Sequence, residues 1–140
     1  MPAIQKIKIL KGFTATGDLK LSDNGHSNTI RRNNIEWKIN PNCGVASMTS
    51  IKKKVNSPYV FSALPHPVGS DWEGIISSNA PFTTYEYLIF WKPIGGGDAL
   101  EYDPKISVLP QIFSFKKKFI LFLLAFFGFF SLQRLLKTKK

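Results

Sequence analysis

Ile35-Glu36-Trp37-Lys38-Ile39, closed by Asn40-Pro41-Asn42, is the stretch on which the fold turns. Its large apolar residues alternate with two charges, so an extended chain points Ile35, Trp37 and Ile39 one way and Glu36 and Lys38 the other. That is the pattern of a half-buried strand, and Asn-Pro-Asn is turn chemistry. The pattern recurs in both directions. Short alternating runs separated by Gly, Pro, Asn and Asp predict further strands near residues 4–10, 18–22, 45–51, 60–63, 71–76, 85–91 and 105–108. No long window among them sustains a 3.6-residue apolar period.

About eight strands at intervals of roughly 8 to 15 residues predict an all-β, antiparallel two-sheet sandwich. Parallel pairing would call for helical crossovers, and none is legible. A hairpin is expected between 85–91 and the strand ending at Val108, through Pro93-Ile94-Gly95-Gly96-Gly97-Asp98. Its three glycines read first as a free hairpin tip and second as a place where a ligand approaches the backbone.

The chain divides by composition into a β-sandwich domain (1–110), a basic linker (111–118), a membrane-anchoring helix (119–136) and a basic tail (137–140). About 110 residues suffice for one core without metal or disulfide staples. The net charge of +10 is unevenly spread: all nine acids and twelve of the nineteen basic residues precede Lys116, leaving the sandwich near +3. A charge concentrated around an apolar run favours anionic lipid over nucleic acid as partner. The single Cys43 and an N-terminal stretch without a long apolar core fit a cytosolic sandwich lacking a secretory signal.

The run Phe119-Ile120-Leu121-Phe122-Leu123-Leu124-Ala125-Phe126-Phe127-Gly128-Phe129-Phe130-Ser131-Leu132 carries no charge and eleven Phe, Ile or Leu residues. At about −0.3 to −0.6 kcal/mol each, these favour insertion by roughly 3 to 7 kcal/mol. Fourteen helical residues reach only about 21 Å across a hydrocarbon core of about 30 Å, and extension through Leu136 brings about 27 Å. Lys116, Lys117 and Lys118 on one side, and Arg134, Lys137, Lys139 and Lys140 on the other, are the expected lipid-headgroup contacts. A single-pass C-terminal anchor with a cytosolic sandwich is therefore expected, as in a tail-anchored protein.

Four stretches, Arg32-Asn33-Asn34-Ile35-Glu36-Trp37, Gly44-Val45-Ala46-Ser47-Met48-Thr49-Ser50-Ile51, Tyr85-Glu86-Tyr87 and Asp103-Pro104-Lys105-Ile106-Ser107-Val108, resemble the strand signatures of cupredoxin-like sandwiches. The resemblance covers about residues 15 to 108 and implies an immunoglobulin-like scaffold. Copper-binding members of that family place Cys, His and Met between the last two strands. Here residues 92–101 contain none of them, Cys43 lies near the place of the first histidine, and His26 and His66 fall elsewhere. The resemblance thus implies a scaffold with no metal or other cofactor.

Other chemistry is sparse. His66, between Pro65 and Pro67 with Asp71 nearby, reads as a solvated loop histidine in preference to a His-Asp pair. Trp37, Trp72 and Trp91 fall on alternating patterns and read as core before stacking platforms. Lys52-Lys53-Lys54, with Arg31 and Arg32, read as solvated strand ends, with phosphate or lipid binding as the alternative. No catalytic residue can be named and the ligand is unknown. The expectation is a non-enzymatic, membrane-anchored binding or assembly module that contacts a protein partner or itself. Its sharper form is an oligomerising, membrane-disrupting effector of a bacterial defence system. The alternative is an accessory anchoring subunit of a larger membrane complex.

Overall fold

The computed structural model describes residues 2–111, and the predicted helix lies outside them. Those residues form ten strands: β1 (Ile4–Gly12), β2 (Leu19–Leu21), β3 (His26–Thr29), β4 (Asn34–Ile39), β5 (Val45–Lys53), β6 (Phe61–Val68), β7 (Asp71–Ile76), β8 (Thr84–Pro93), β9 (Leu100–Tyr102) and β10 (Lys105–Val108). One sheet runs β2-β1-β4-β7-β6. The other runs β3-β10-β8-β5, with β9 also paired to β8.

The all-β class holds, but both sheets are mixed. β1 pairs with β4 in parallel, Ile4 beside Asn34 through Ile9 beside Ile39, and β3 pairs with β10 in parallel. The expectation of purely antiparallel sheets was wrong for a physical reason. A parallel pair needs a long return path, not specifically a helix. Between β1 and β4 the chain crosses to the opposite sheet and lays down β3 there, so a strand does the work of the crossover.

The inner faces follow alternation where the ladders are regular. Ile7 and Ile9 of β1, Ile35 and Trp37 of β4, and Trp72 and Ile76 of β7 are buried against Tyr85, Tyr87, Ile89 and Trp91 of β8. β5 departs from alternation. Its ladder shifts register between Val45 and Ser47 and again between Met48 and Ser50, so the inward residues Val45, Met48 and Ile51 come every third position. The predicted glycine-tipped hairpin is present. β9 and β10 continue one register along β8, broken only at Asp103-Pro104, and the Tyr87 N–H donates to the Pro104 carbonyl at 3.2 Å.

All three indoles bridge the sandwich. Trp37 of β4 donates to the Tyr87 hydroxyl at 3.0 Å, Trp72 of β7 donates to the Met48 carbonyl at 3.1 Å, and Trp91 of β8 donates to the Gly17 carbonyl beyond β1 at 2.9 Å. Gly12 makes room for the last of these. A methyl at its Cα would lie 2.8 Å from the Trp91 ring and 2.9 Å from Val45. Trp37, Phe61, Tyr85 and Tyr87 pack ring to ring at centroid distances of 5.1 to 6.2 Å. The unit so formed reaches Leu109.

Tyr87→Phe keeps the ring but strands the buried Trp37 N–H, and should cost about 1–3 kcal/mol in urea unfolding. Unchanged stability would show that the bond is dispensable.

Alkaline pH acts on the same cluster. Burial raises the Tyr85 and Tyr87 phenols well above their ordinary 10.0, although the Trp37 hydrogen bond opposes the rise at Tyr87. Above pH 10.0 the unfolded chain loses phenol protons that the folded chain keeps. Their stabilisation should therefore be intact below that pH and fall above it, by up to about 1.4 kcal/mol per pH unit for each phenol. Urea midpoints measured between pH 8 and 11, with Tyr85→Phe as comparison, check this; a flat profile would contradict it.

Candidate interaction surfaces

Strand direction sorts seven of the nine connecting loops into two groups; 22–25 and 103–104, which carry Asp23 and Asp103, belong to neither. β3, β5, β7 and β10 end where β4, β6 and β8 begin, and the loops at that end are 30–33, 54–60 and 77–83. They carry Arg31, Arg32 and Lys54 and no Asp or Glu. Loops 13–18, 40–44, 69–70 and 94–99 lie at the other end and carry Asp18 and Asp98 and no Lys or Arg. The described chain leaves from the basic end, where the Leu109 N–H donates to the Thr29 carbonyl at 2.8 Å.

Arg31, Lys53 and Lys54 are held by hydrogen bonds or an ion pair, whereas Arg32 and Lys52 are exposed, as their reading as solvated strand ends expects. Arg31 donates through Nε to the Ala80 carbonyl at 2.8 Å, with its guanidinium 4.1 Å from the Phe82 ring centroid. Lys53 stands across from inward-facing Tyr87 at the mouth of the sandwich. Its ammonium donates to the carbonyls of Lys54 (2.9 Å), Val55 (3.3 Å) and Ser57 (2.6 Å), and lies 4.8 Å from the Tyr59 ring. Lys52 lies over Phe90. Lys54 pairs with Asp103, whose hydrogen bond holds the lysine above its usual pKa. Arg32 adopts φ 69°, a left-handed conformation costing a residue with a side chain about 1–2 kcal/mol.

The loops so fixed display apolar groups to solvent. Val55 is 94% exposed at the tip of loop 54–60, Tyr59 is 71% exposed and Phe82 52%, and Ile4 opens β1 at the same end.

The other sequence candidates have structural surroundings. His66 lies in β6, not in a loop, facing Glu73 across the ladder, with Nδ1 2.9 Å from the Leu64 carbonyl. β6 is an edge strand, where Pro65 and Pro67 are tolerated. Asp71 is engaged by Lys38 at 3.3 Å and by the Ile39 N–H at 3.4 Å. His26 of β3 bonds Ser107 at 2.8 Å, and Cys43 is buried. Among the described residues no three His, Cys, Asp or Glu side chains are grouped to hold a metal ion. Gly95, Gly96 and Gly97 all have positive φ, and nothing packs within 4 Å of where their side chains would be.

Two shallow clefts lie on the surface of the described residues. One of about 270 Å³ is lined by Phe13, Leu19, Lys20, Leu21, Asn24 and Tyr102; the other, of about 140 Å³, lies beside Trp72 between Lys38 and Asp71. Both are smaller than the roughly 300–1,000 Å³ of drug-sized ligand pockets. Phe119–Leu132 and the flanking residues Lys116, Lys117, Lys118, Arg134, Lys137, Lys139 and Lys140 lie outside the described residues. Among the described residues there is no helix long and apolar enough to cross a membrane. No protein-family model matches the chain, and no curated protein matches it significantly.

Lys53→Met removes three hydrogen bonds that fold loop 54–60 onto itself. The Ser57 amide, which donates to Lys54 at 3.1 Å, should exchange with deuterium about tenfold faster. Unaltered exchange would show that the loop holds its shape without the ammonium.

Proposed function

We propose that the chain is a membrane-anchored, non-enzymatic module whose sandwich binds a partner or a second copy of itself while residues 119–136 hold it to a bilayer. The observation that carries this is the uncharged, phenylalanine-rich run 119–132 between basic flanks. The sandwich suits binding, because its indoles and buried phenols are used in packing and its acids Asp71 and Asp103 in ion pairs.

The sharper form is a defence effector that perturbs the membrane on assembly. A helix of about 27 Å strains a bilayer of about 30 Å, and clustered helices share that distortion. Six phenylalanines within residues 119–130, with Gly128 as the only glycine, leave little small-residue surface for helix pairing. Clustering therefore falls to the sandwich, which raises the local helix concentration. The accessory-subunit alternative draws on the sheet edges: β2 and β3 are short, β6 carries two prolines, and β5 is bulged and ends in lysines. Such edges resist strand-to-strand polymerisation.

The full chain should pellet with membranes and resist alkaline carbonate, while a chain ending at Phe115 is released. Leu124→Arg should weaken insertion by about 3 kcal/mol. Soluble full-length protein without detergent would end the anchor reading. Dye entry on induction would separate the effector from the subunit, which anchors without damage.

A further inference from the structure

We propose that the basic end of the sandwich, built from loops 30–33, 54–60 and 77–83, is a docking surface for the anionic face of a lipid bilayer. The claim rests on the membrane reading above and adds which end of the sandwich meets the lipid and through which residues.

The first support is the separation of charge between the two ends. Arg31, Arg32 and Lys54 belong to loops without acid, and Asp18 and Asp98 to loops without base; Lys54 is paired with Asp103 from the β9–β10 connection, so Arg31 and Arg32 carry the attraction. An anionic surface attracts the first group of loops more than the second, whose bordering strands supply Lys11, Lys20 and Lys92. The basic end is also the one from which the chain proceeds, after Leu109, towards Lys116 and the apolar run.

Apolar residues at the same end identify lipid among anionic partners. Val55 is almost fully exposed on a loop tied down from behind by Lys53, and Phe82 carries Arg31 across its face. Nucleic acid offers an aliphatic tip such as Val55 no hydrocarbon below its phosphates. A bilayer has hydrocarbon immediately beneath its headgroups, where aliphatic and aromatic groups enter while arginines remain at the phosphates.

A third support is the backbone of Arg32. Glycine would relieve its left-handed conformation. Strain retained at a residue whose charge faces solvent is what a binding role produces.

The test uses the full chain and residues 1–110, which contain every core residue named above. Each is floated with vesicles of phosphatidylcholine alone or mixed with phosphatidylglycerol. Residues 1–110 should bind the mixed vesicles at least tenfold better than the neutral ones. Arg32→Gly should raise the thermal midpoint yet weaken binding about fivefold, a combination that a purely structural arginine would not give. Val55→Asp alters a side chain exposed enough to leave folding intact, and should weaken binding at least as much; Asp98→Asn should not weaken it. If the full chain floats with both vesicle types and residues 1–110 with neither, the docking surface is overturned while the anchor stands. If residues 1–110 bind mixed vesicles and the full chain is extracted by carbonate, the docking surface stands and the anchor falls. Preference for a single-stranded oligonucleotide over mixed vesicles would overturn the proposal by assigning the surface to nucleic acid.

Discussion

The Trp37 indole meets the Tyr87 phenol where both rings are shut away from water. A buried N–H must find an acceptor, so this bond constrains more than two side chains. It sets the central strand of one sheet over β8 of the other. Through β8 it also fixes β5, β9 and β10, which take their register from it. Trp72 and Trp91 repeat the device nearer the sandwich edges. Apolar area alone would allow two sheets to slide over one another, whereas three directional bonds favour one alignment.

That alignment accounts for much of what the sequence shows and hides. Alternation exposes β4 and β7 plainly, because Ile35, Trp37, Trp72 and Ile76 are large and regularly spaced. β3 is invisible for the opposite reason. His26–Thr29 contains no aliphatic or aromatic core residue, and its inward positions are Ser27 and Thr29, whose hydroxyls bond Asp23 and Asn33. Pro65 and Pro67 disguise the second half of β6, since proline argues against a strand unless the strand is known to lie at an edge. Lys53 reads as one of three equivalent lysines, and only its place opposite Tyr87, two residues beyond inward Ile51, shows that it faces inward.

The difference in charge between the two groups of loops was still less accessible. Arg31, Lys54, Asp18 and Asp98 are scattered along the chain. Their grouping depends on the direction of every strand, and hence on the two parallel pairs that alternation cannot reveal. Once those directions are known, seven of the nine connections separate into the two groups, 22–25 and 103–104 belonging to neither. The scaffold class was therefore legible from local pattern, while the surface it presents required the topology.

The position of β10 has a mechanical consequence. This last strand is not at an edge but between β3 and β8, joined to both by hydrogen bonds, with Ile106 and Val108 buried in the core. Tension transmitted through Leu109, along the strand axis, loads both ladders in shear. Their bonds then resist together, where an edge strand peeled sideways would lose them one at a time. Rupture under load is governed by the rate of unfolding, and shared loading slows it. The sandwich is thus built to withstand a pull at the point where the chain departs from it.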